Sequence, residues 1–462
     1  MTVTLVMPQA LFHEVEAVSQ LPLETAGVLI ATYFATLNGD KRLLAQNIIW
    51  VDEAAYVKRT STELIVKSEG YVPALAEAAE RGAVCLWLHT HPGENGIPSP
   101  SLRDEKVDRE IAELFRIRTD SEFYGTLIVS PREKGVAFSG TVQLKSVASK
   151  QIERLWVVGD TWHLTRSVSA TAEPLSPIFS RSILAFGAAV QETLGDLRVA
   201  VVGCGGTGSA VAEQLVRLGV RHLQLFDADK LSDSNVTRVY GSRPSDVRKP
   251  KVEILKHHLT AIAPSLDCIT SERMITLKDS AEQLTSCDLV FGCTDDNAGR
   301  MVLSRLSSYF LTPIIDVGVM LSSDAKNNLV GIDGRITTLV PGAACLVCRN
   351  RIDLQRAASE LKTPEERKRL AAEGYAPALG NTEPAVVAFT TAVAAAALNE
   401  LLERLIGYGP TPPPNEVLLR LHDREISTNT ANPRPGHYCD PAQHKYWLAN
   451  REPFLEQLWP TN

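Results

Sequence analysis

A basic surplus is missing from this chain: 47 Lys plus Arg stand against 54 Asp plus Glu, a net charge of −7 with His neutral. That removes any bulk electrostatic reason to hold nucleic acid. Long apolar runs are missing too. The longest, 385–398, is rich in Ala and Thr and too short to span a bilayer, so no membrane partner is expected. The opening residues, MTVTLVMPQALFHEVEAVSQ, contain no basic stretch followed by an apolar one, so no export leader is expected. Cysteine is sparse, eight in 462 residues, and only Cys345 and Cys348 form a C-x-x-C. Most of the others sit in apolar runs, as reduced cysteines do, which points to a cytoplasmic protein.

What is present is ordinary globular material, 44% hydrophobic and 22% charged. The length is about three times a typical domain of ~150 residues, so two or three domains are expected. Residues 1–150 mix strand patterns at 27–30, 84–88 and 124–129 with a helix from Leu102 to Phe115. The polar, Pro-bearing stretch 167–177 suits a linker, placed at 151–177 with Trp156 and Trp162 packing in it. From about 178 to 430 strands and helices alternate: a strand 198–202, a Gly-rich turn, a helix 209–218, a strand 223–226, a helix 251–262 and a strand 289–291. That alternation implies a doubly wound parallel sheet covered by helices. An Ala-rich helix runs from Pro384 to Ile406. A strand at 417–421 and a loose tail, 431–462, follow.

In the first third, Leu88-His89-Thr90-His91-Pro92-Gly93 ends an apolar strand, and Ser101 and Asp104 open the next helix. Residues i and i+2 of a strand point the same way, so His89 and His91 can face one ion. Asp104 can supply a third, oxygen ligand. Three such ligands suit a catalytic zinc with an open position, which acidifies bound water; a nearby carboxylate then handles the proton. H-x-H-P-G followed by S-x-x-D resembles the JAMM motif of the JAB/MPN metalloproteases, which process or remove ubiquitin-like proteins. The resemblance implies that Glu24, in Glu24-Thr25-Ala26-Gly27-Val28-Leu29, is the general base and acid. It implies that Ser101 stabilises the oxyanion. The chain departs from the family in loop length, with nine residues between His91 and Ser101 where seven are usual. Ser99 has the usual spacing, but Leu102 then stands in the place of the Asp. Alone, an H-x-H would read as a surface pair beside a turn.

The second motif, Gly203-Cys204-Gly205-Gly206-Thr207-Gly208, lets backbone amides approach phosphate at a helix N-terminus. Asp227 and Asp229 end the next strand at the spacing of a ribose-binding acid, so on these residues a nicotinamide-dependent reductase is a rival. Asn235, Arg238, Lys251 and Asp295 follow in order, with Arg300 five residues beyond Asp295. Such residues suit attack on ATP at its α-phosphate, where charge must be neutralised and Mg²⁺ positioned. The ordered set S-R-x-I-L-x-F-G, G-x-G-G-x-G-S, D-x-D, S-N-x-x-R, P-K-V-E and C-T-D, over about 178–425, resembles the ThiF/MoeB family, the adenylating core of ubiquitin-activating enzymes. The resemblance implies that Asp229 binds ribose, that Asn235, Arg238 and Lys251 contact the phosphates, and that Asp295 binds Mg²⁺. It also implies that Arg181 reaches the partner subunit's ATP site in a homodimer.

The same family often places half of a structural zinc site where Cys345 and Cys348 stand. The usual second C-x-x-C is absent; His437 and Cys439 could complete a Cys3His set, with His444 near, and a site without metal is the alternative. Some relatives carry an acceptor cysteine before the helix that here starts at Pro384, yet Gly374–Gly380 holds none, leaving a thioester on another cysteine or adenylation alone. His257 and His258 read as solvated helix residues. The expectation is a fusion of two enzymes: a JAB/MPN-type α/β zinc (iso)peptidase at 1–150 and a Rossmann-like, ThiF-type ATP-dependent adenylating domain at 178–430. Both would act on one ubiquitin-like protein, with a conjugating enzyme as a further partner. Such fusions resemble parts of bacterial ubiquitin-like conjugation systems, some linked to phage defence. Sulfur transfer through a protein thiocarboxylate is the alternative, and a binding scaffold with both sites dead is the other.

Overall fold

The computed structural model describes residues 2–93, 96–145, 147–167, 176–326, 328–362, 366, 385–443, 449 and 453–459. The chain forms two compact units, one spanning Met1–Glu173 and the other built mainly on Pro174–Tyr446.

In the first unit the strands are β1 (Val3–Pro8), β2 (Ala26–Ala35), β3 (Lys41–Trp50), β4 (Tyr56–Arg59), β5 (Leu64–Val66), β6 (Val84–Thr90), β7 (Phe123–Pro131), β8 (Val136–Leu144), β9 (Lys150–Gln151), β10 (Arg154–Val158) and β11 (His163–Arg166). Its helices are α1 (Gln9–Ser19), α2 (Val72–Arg81) and α3 (Leu102–Thr119). Nine strands form one mixed sheet in the order β11-β10-β1-β3-β2-β6-β7-β8-β9, and β4 pairs with β5 as a separate hairpin. Both faces of the sheet are covered. Met7, Leu29, Leu43, Leu88 and Phe138 pack in one apolar cluster, and Val28, Ile30, Trp87, Phe115 and Tyr124 in another. A strand buried on both faces reads as a continuous apolar run, which is how β6 and β7 stand out in the sequence.

The expected linker at 151–177 is corrected by this sheet. Arg154–Val158 pairs parallel with β1, from Thr4↔Arg154 to Pro8↔Val158, and β11 continues the edge. Trp156 and Trp162 are buried in that layer rather than in a connection. The rest of the expected linker, 168–175, lies outside the described residues.

The second unit contains α4 (Ser180–Phe186), α5 (Ala188–Asp196), β12 (Arg198–Val202), α6 (Gly206–Arg217), β13 (His222–Phe226), α7 (Lys251–Ile262), β14 (Asp267–Ser271), α8 (Lys278–Gln283), β15 (Leu289–Gly292), α9 (Asn297–Phe310), β16 (Ile314–Ser323), β17 (Leu329–Leu339), α10 (Leu354–Glu360), α11 (Val387–Ile406), β18 (Glu416–Arg420) and β19 (Glu425–Asn429). The sheet order is β14-β13-β12-β15-β16-β17-β18-β19. From β14 through β16 the pairs are parallel; beyond β16 they are antiparallel. The chain leaves β12 toward β13 on one side and later returns to β15 on the other. The carboxyl ends of β12 and β15 therefore flank a topological switch point, where open α/β sheets bind ligands.

Helix α6 begins at Gly206, three residues before the expected Ser209, because the glycines themselves form its first turn. Helix α11 begins at Val387; Pro384 lies outside the described residues. The tail is not loose where it is described: Phe454 packs on Phe310, and Arg305 donates to the carbonyls of Leu455 and Glu456. Among the described residues no helix is long and apolar enough to cross a membrane.

Candidate functional site

Each unit gathers its chemistry at strand ends. In the first, β2 and β6 pair antiparallel with Ala26 opposite His89, which puts Glu24 beside the exit of β6. The junction is tied twice: Thr25 N–H donates to Thr90 Oγ1 at 2.9 Å, and Thr90 N–H donates to the Thr25 carbonyl at 3.0 Å. His91 N–H donates to the Val129 carbonyl at 2.9 Å, fixing the residue beyond the strand. Ser101 and Asp104 form a capping box at the start of α3. The Ser101 hydroxyl accepts from Asp104 N–H at 3.2 Å, and Asp104 Oδ2 accepts from Ser101 N–H at 2.8 Å.

That box turns the Asp104 carboxylate toward both histidines. His89 Nε2 lies 3.5 Å from Oδ1, and His91 Nε2 lies 3.6 Å from Oδ2. Ligands at about 2.0–2.1 Å around a tetrahedral zinc stand about 3.4 Å apart, so the triad fits that ion. Neither ring nitrogen of buried His89 has a well-formed hydrogen bond, which leaves Nε2, the atom facing Asp104, available as a ligand. Burial alone would raise the Asp104 carboxyl, yet the His89 and His91 rings beside it hold it well below the usual carboxylate range. Glu24 is 8% exposed, and burial raises its carboxyl although the two histidines oppose the shift. A raised carboxyl near side chains that could hold a metal suits proton transfer.

Here Ser101 is first a helix cap, with its hydroxyl engaged by Asp104 N–H. Sequence reasoning missed Arg59 and Asp108. Arg59 donates from Nε to the Glu24 carbonyl at 2.9 Å and from Nη2 to Thr25 Oγ1 at 2.6 Å, clasping the Glu24 segment from the β4–β5 hairpin. Asp108, one turn beyond Asp104, accepts from Tyr124 Oη at 2.8 Å. Nothing local in the sequence marks either residue.

In the second unit the turn after β12 requires its glycines. Gly203 has φ +89°, and a Cβ there would meet the Cys293 carbonyl at 2.6 Å. A Cβ on Gly208 would sit 1.7 Å from the Gly203 carbonyl oxygen. Above Gly205 nothing lies within 4 Å. The opening is flanked by cations: Arg238 passes beside Gly206, its Cδ 3.2 Å from where a side chain would start, and donates from Nη1 to the Ser234 carbonyl at 2.9 Å. Lys251 Nζ lies 2.7 Å from Asp229 Oδ2 and 3.9 Å from Asp227 Oδ2. Asn235 is held by accepting from Ser232 N–H at 3.2 Å.

Asp227 supports the loop itself, accepting from Cys204 N–H at 2.7 Å and from Asp229 N–H at 2.8 Å, while burial raises its carboxyl. Asp295 is exposed just beyond β15, beside the segment that touches Gly203. Arg300 does not reach this crevice; its guanidinium grips Asp316 at 3.0 and 2.7 Å. Arg181 is exposed on α4, which has no buried residue and displays Leu184 at 87% exposure, with Ile178 just before it at 76%.

The last cluster joins residues about ninety positions apart. Cys348 Sγ lies 3.6 Å from Cys439 Sγ, and His437 Nδ1 lies 3.5, 3.4 and 3.4 Å from the sulfurs of Cys345, Cys348 and Cys439. With Zn–S near 2.3 Å and Zn–N near 2.0–2.1 Å, a tetrahedron has edges of about 3.8 Å between sulfurs and about 3.5 Å between sulfur and nitrogen. The four side chains match a Cys3His cage, with His437 as the fourth ligand. His444 lies outside the described residues. The Cys345 thiol is lowered to about 4, chiefly by its hydrogen bond with Cys439.

The profile of the ThiF family matches residues 179–440, more than half of the chain. Ubiquitin-like modifier-activating enzyme 5 of Oryza sativa subsp. japonica is 32% identical over 171 residues, covering 34% of this chain and 38% of that protein. Molybdopterin-synthase adenylyltransferase of Escherichia coli K12 is 31% identical over 164 residues, covering 35% and 62%. The chain thus spans less than two thirds of either relative. E. coli MccB in a structure with ATP overlays with TM-score 0.44 and 18% identity over 58% of this chain and 75% of that one, a likeness too distant for a functional argument. The family match leaves the first unit outside it.

Proposed function

This chain belongs to the ThiF family, and from that premise we propose that its second unit adenylates the C-terminal carboxylate of a ubiquitin-like protein with ATP and Mg²⁺. The observation that carries this reading is the convergence of a glycine-only phosphate cradle with Arg238 and Lys251 at the β12/β15 switch point. The amides at the start of α6 meet phosphate, and Arg238 and Lys251 neutralise charge that grows on the α-phosphate. Asn235 orients the phosphates, Asp229 takes the ribose and Asp295 would hold Mg²⁺, which supplies further charge neutralisation when bound. The exposed apolar side chains around α4 support a homodimer in which Arg181 reaches the other subunit's site.

The first unit fits a zinc (iso)peptidase acting on the same partner. His89, His91 and Asp104 would hold the ion, which would activate water when bound; Glu24 moves the proton from water to the leaving amine, and Ser101 fixes Asp104. In this reading one cytoplasmic chain carries both enzymes, and Cys345, Cys348, His437 and Cys439 hold a structural zinc. Sulfur transfer remains the second reading, because one relative is named a molybdopterin-synthase adenylyltransferase.

Nucleotide products test the first proposal. Incubation with ATP, Mg²⁺ and the ubiquitin-like partner should release pyrophosphate and leave AMP joined to the partner's C-terminal carboxyl, and Lys251→Ala should abolish both. ADP as the product, or hydride transfer to a nicotinamide, would overturn it. For the first unit, Glu24→Gln should retain zinc and lose cleavage; wild-type cleavage in that variant would overturn its role.

A further inference from the structure

We infer that Arg59 is a positioning residue for the proton transfer assigned to Glu24: from the β4–β5 hairpin it holds the backbone that carries that carboxylate beside His89, His91 and Asp104. The inference rests on the peptidase role proposed for the first unit.

Glu24 stands where the main sheet alone does not fix it. The β2–β6 ladder opens at Ala26, opposite His89, so Glu24 lies two residues before the first paired position. Leu21, Pro22 and Leu23, which lead into it, are exposed, yet Glu24 is buried. A strand end fed by an exposed turn frays unless other groups take its backbone hydrogen bonds.

Those groups come from two sides. On one side is Thr90, the residue between the two histidines, which exchanges hydrogen bonds with Thr25. On the other is the hairpin. Glu24 N–H donates to the Thr60 carbonyl at 2.8 Å, the Glu24 carbonyl accepts from Arg59 Nε at 2.9 Å, and Ala26 N–H donates to Tyr56 Oη at 3.1 Å. Arg59 Nη2 donates to Thr25 Oγ1 at 2.6 Å, and the Thr25 hydroxyl in turn donates to the Leu23 carbonyl at 3.1 Å. One planar fork thus grips two consecutive residues, and through Thr25 it also reaches the exposed turn. The fork is itself held: the guanidinium lies 4.7 Å over the Tyr56 ring, and Nη1 pairs with Glu53. Its side chain is only 16% exposed, so these bonds are partly shielded from water. A charged donor makes them about twice as strong as neutral ones.

Arg59 touches none of the atoms that would react. It acts through Glu24, whose carboxylate must stay in reach of both the attacking water and the leaving amine. The three candidate ligands do not depend on it. His89 is carried by β6, His91 is tied to the Val129 carbonyl, and Asp104 is set by its box with Ser101. Losing Arg59 should therefore lower turnover and leave the metal in place. A displacement of about 1 Å in a positioned group costs about 10²-fold in rate.

Two measurements on the full chain test this. In the first, the zinc-loaded chain is assayed on ubiquitin-like proteins with a reporter protein fused behind a C-terminal glycine. Arg59→Ala should lower kcat about 10²-fold, with KM and zinc content unchanged. Guanidinium chloride, at a concentration that leaves the wild type unaffected, should restore kcat in Arg59→Ala but not in Glu24→Gln. Arg59→Lys keeps the charge but not the fork, so it should recover only part of the rate. Wild-type kcat in Arg59→Ala, or a loss carried wholly by KM or by zinc content, overturns the inference. No cleavage of any probe by the wild type counts against the peptidase role instead. The second measurement needs no substrate: amide exchange is followed by mass spectrometry. Arg59→Ala should speed exchange across 24–26 and leave 84–88 unchanged. No acceleration at 24–26, or equal acceleration of both segments, overturns the inference whether or not a probe is cleaved.

Discussion

Two alanine substitutions three residues apart in sequence, at Gly208 and Gly205, separate the structural from the ligand-binding duty of the glycine turn. At Gly208 the new Cβ would lie 1.7 Å from the Gly203 carbonyl oxygen, whereas real Cβ contacts essentially never fall under 3.0 Å. The start of α6 must move by at least 1.3 Å, the difference between those values. Overpacking of this kind costs about 1–3 kcal/mol. For a unit of this size each kcal/mol lowers Tm by about 2–4 °C. A displacement of about 1 Å in a positioning group also costs about 10²-fold in rate. At Gly205 φ is −73° and nothing stands within 4 Å of the new Cβ, so Tm should not change. The space it fills, however, is the approach of phosphate to the backbone amides. ATP affinity should fall at least about tenfold, or ~1.4 kcal/mol. Calorimetry reads both quantities, as the unfolding transition and as titration with ATP. Unchanged ATP affinity in Gly205→Ala, or an unchanged Tm in Gly208→Ala, would refute the reasoning.

Other expectations can be checked with the same material. Ser101→Ala should cost about 0.5–2 kcal/mol as a lost helix cap while the zinc content of the first unit is retained; Asp104→Ala should lose the cap and the metal together, as read by calorimetry and elemental analysis. Cys348→Ser should remove one zinc equivalent and raise amide exchange across 437–440, because binding free energy of such a site is folding free energy. Glu416 is buried, which alone would raise its carboxyl, but Arg351 and Asn429 hold it below the model-compound value of 4.5. Its contribution to stability is therefore full above that pH and is lost as pH falls through the lower folded value. Glu416→Gln should flatten acid unfolding in that window, measured by circular dichroism against pH.

Local chemistry was the legible part of the sequence. The glycine turn and the Ser101–Asp104 box are set by residues within six positions of one another, so spacing alone locates them, and β12 and α7 have the bounds the apolar pattern predicts. What escaped was decided by pairing across the chain. Arg154–Val158 is an apolar run that reads as a strand only once β1, about 150 residues earlier, is seen to accept it. Arg59 looks like one surface cation among many until the hairpin folds it onto Glu24. His437 and Cys439 were legible as candidates to complete a Cys3His set, and the tail's return to Cys345 and Cys348 is what brings the four side chains together.

ATP–pyrophosphate exchange tests the central claim most directly, run with the ubiquitin-like partner in two forms, one with a free carboxyl terminus and one with that terminus amidated. Rapid exchange with the free acid and none with the amide is the predicted result, since only a carboxylate oxygen can displace pyrophosphate from the α-phosphorus. Equal exchange with both forms, or none with a partner shown to bind the chain, would contradict the account.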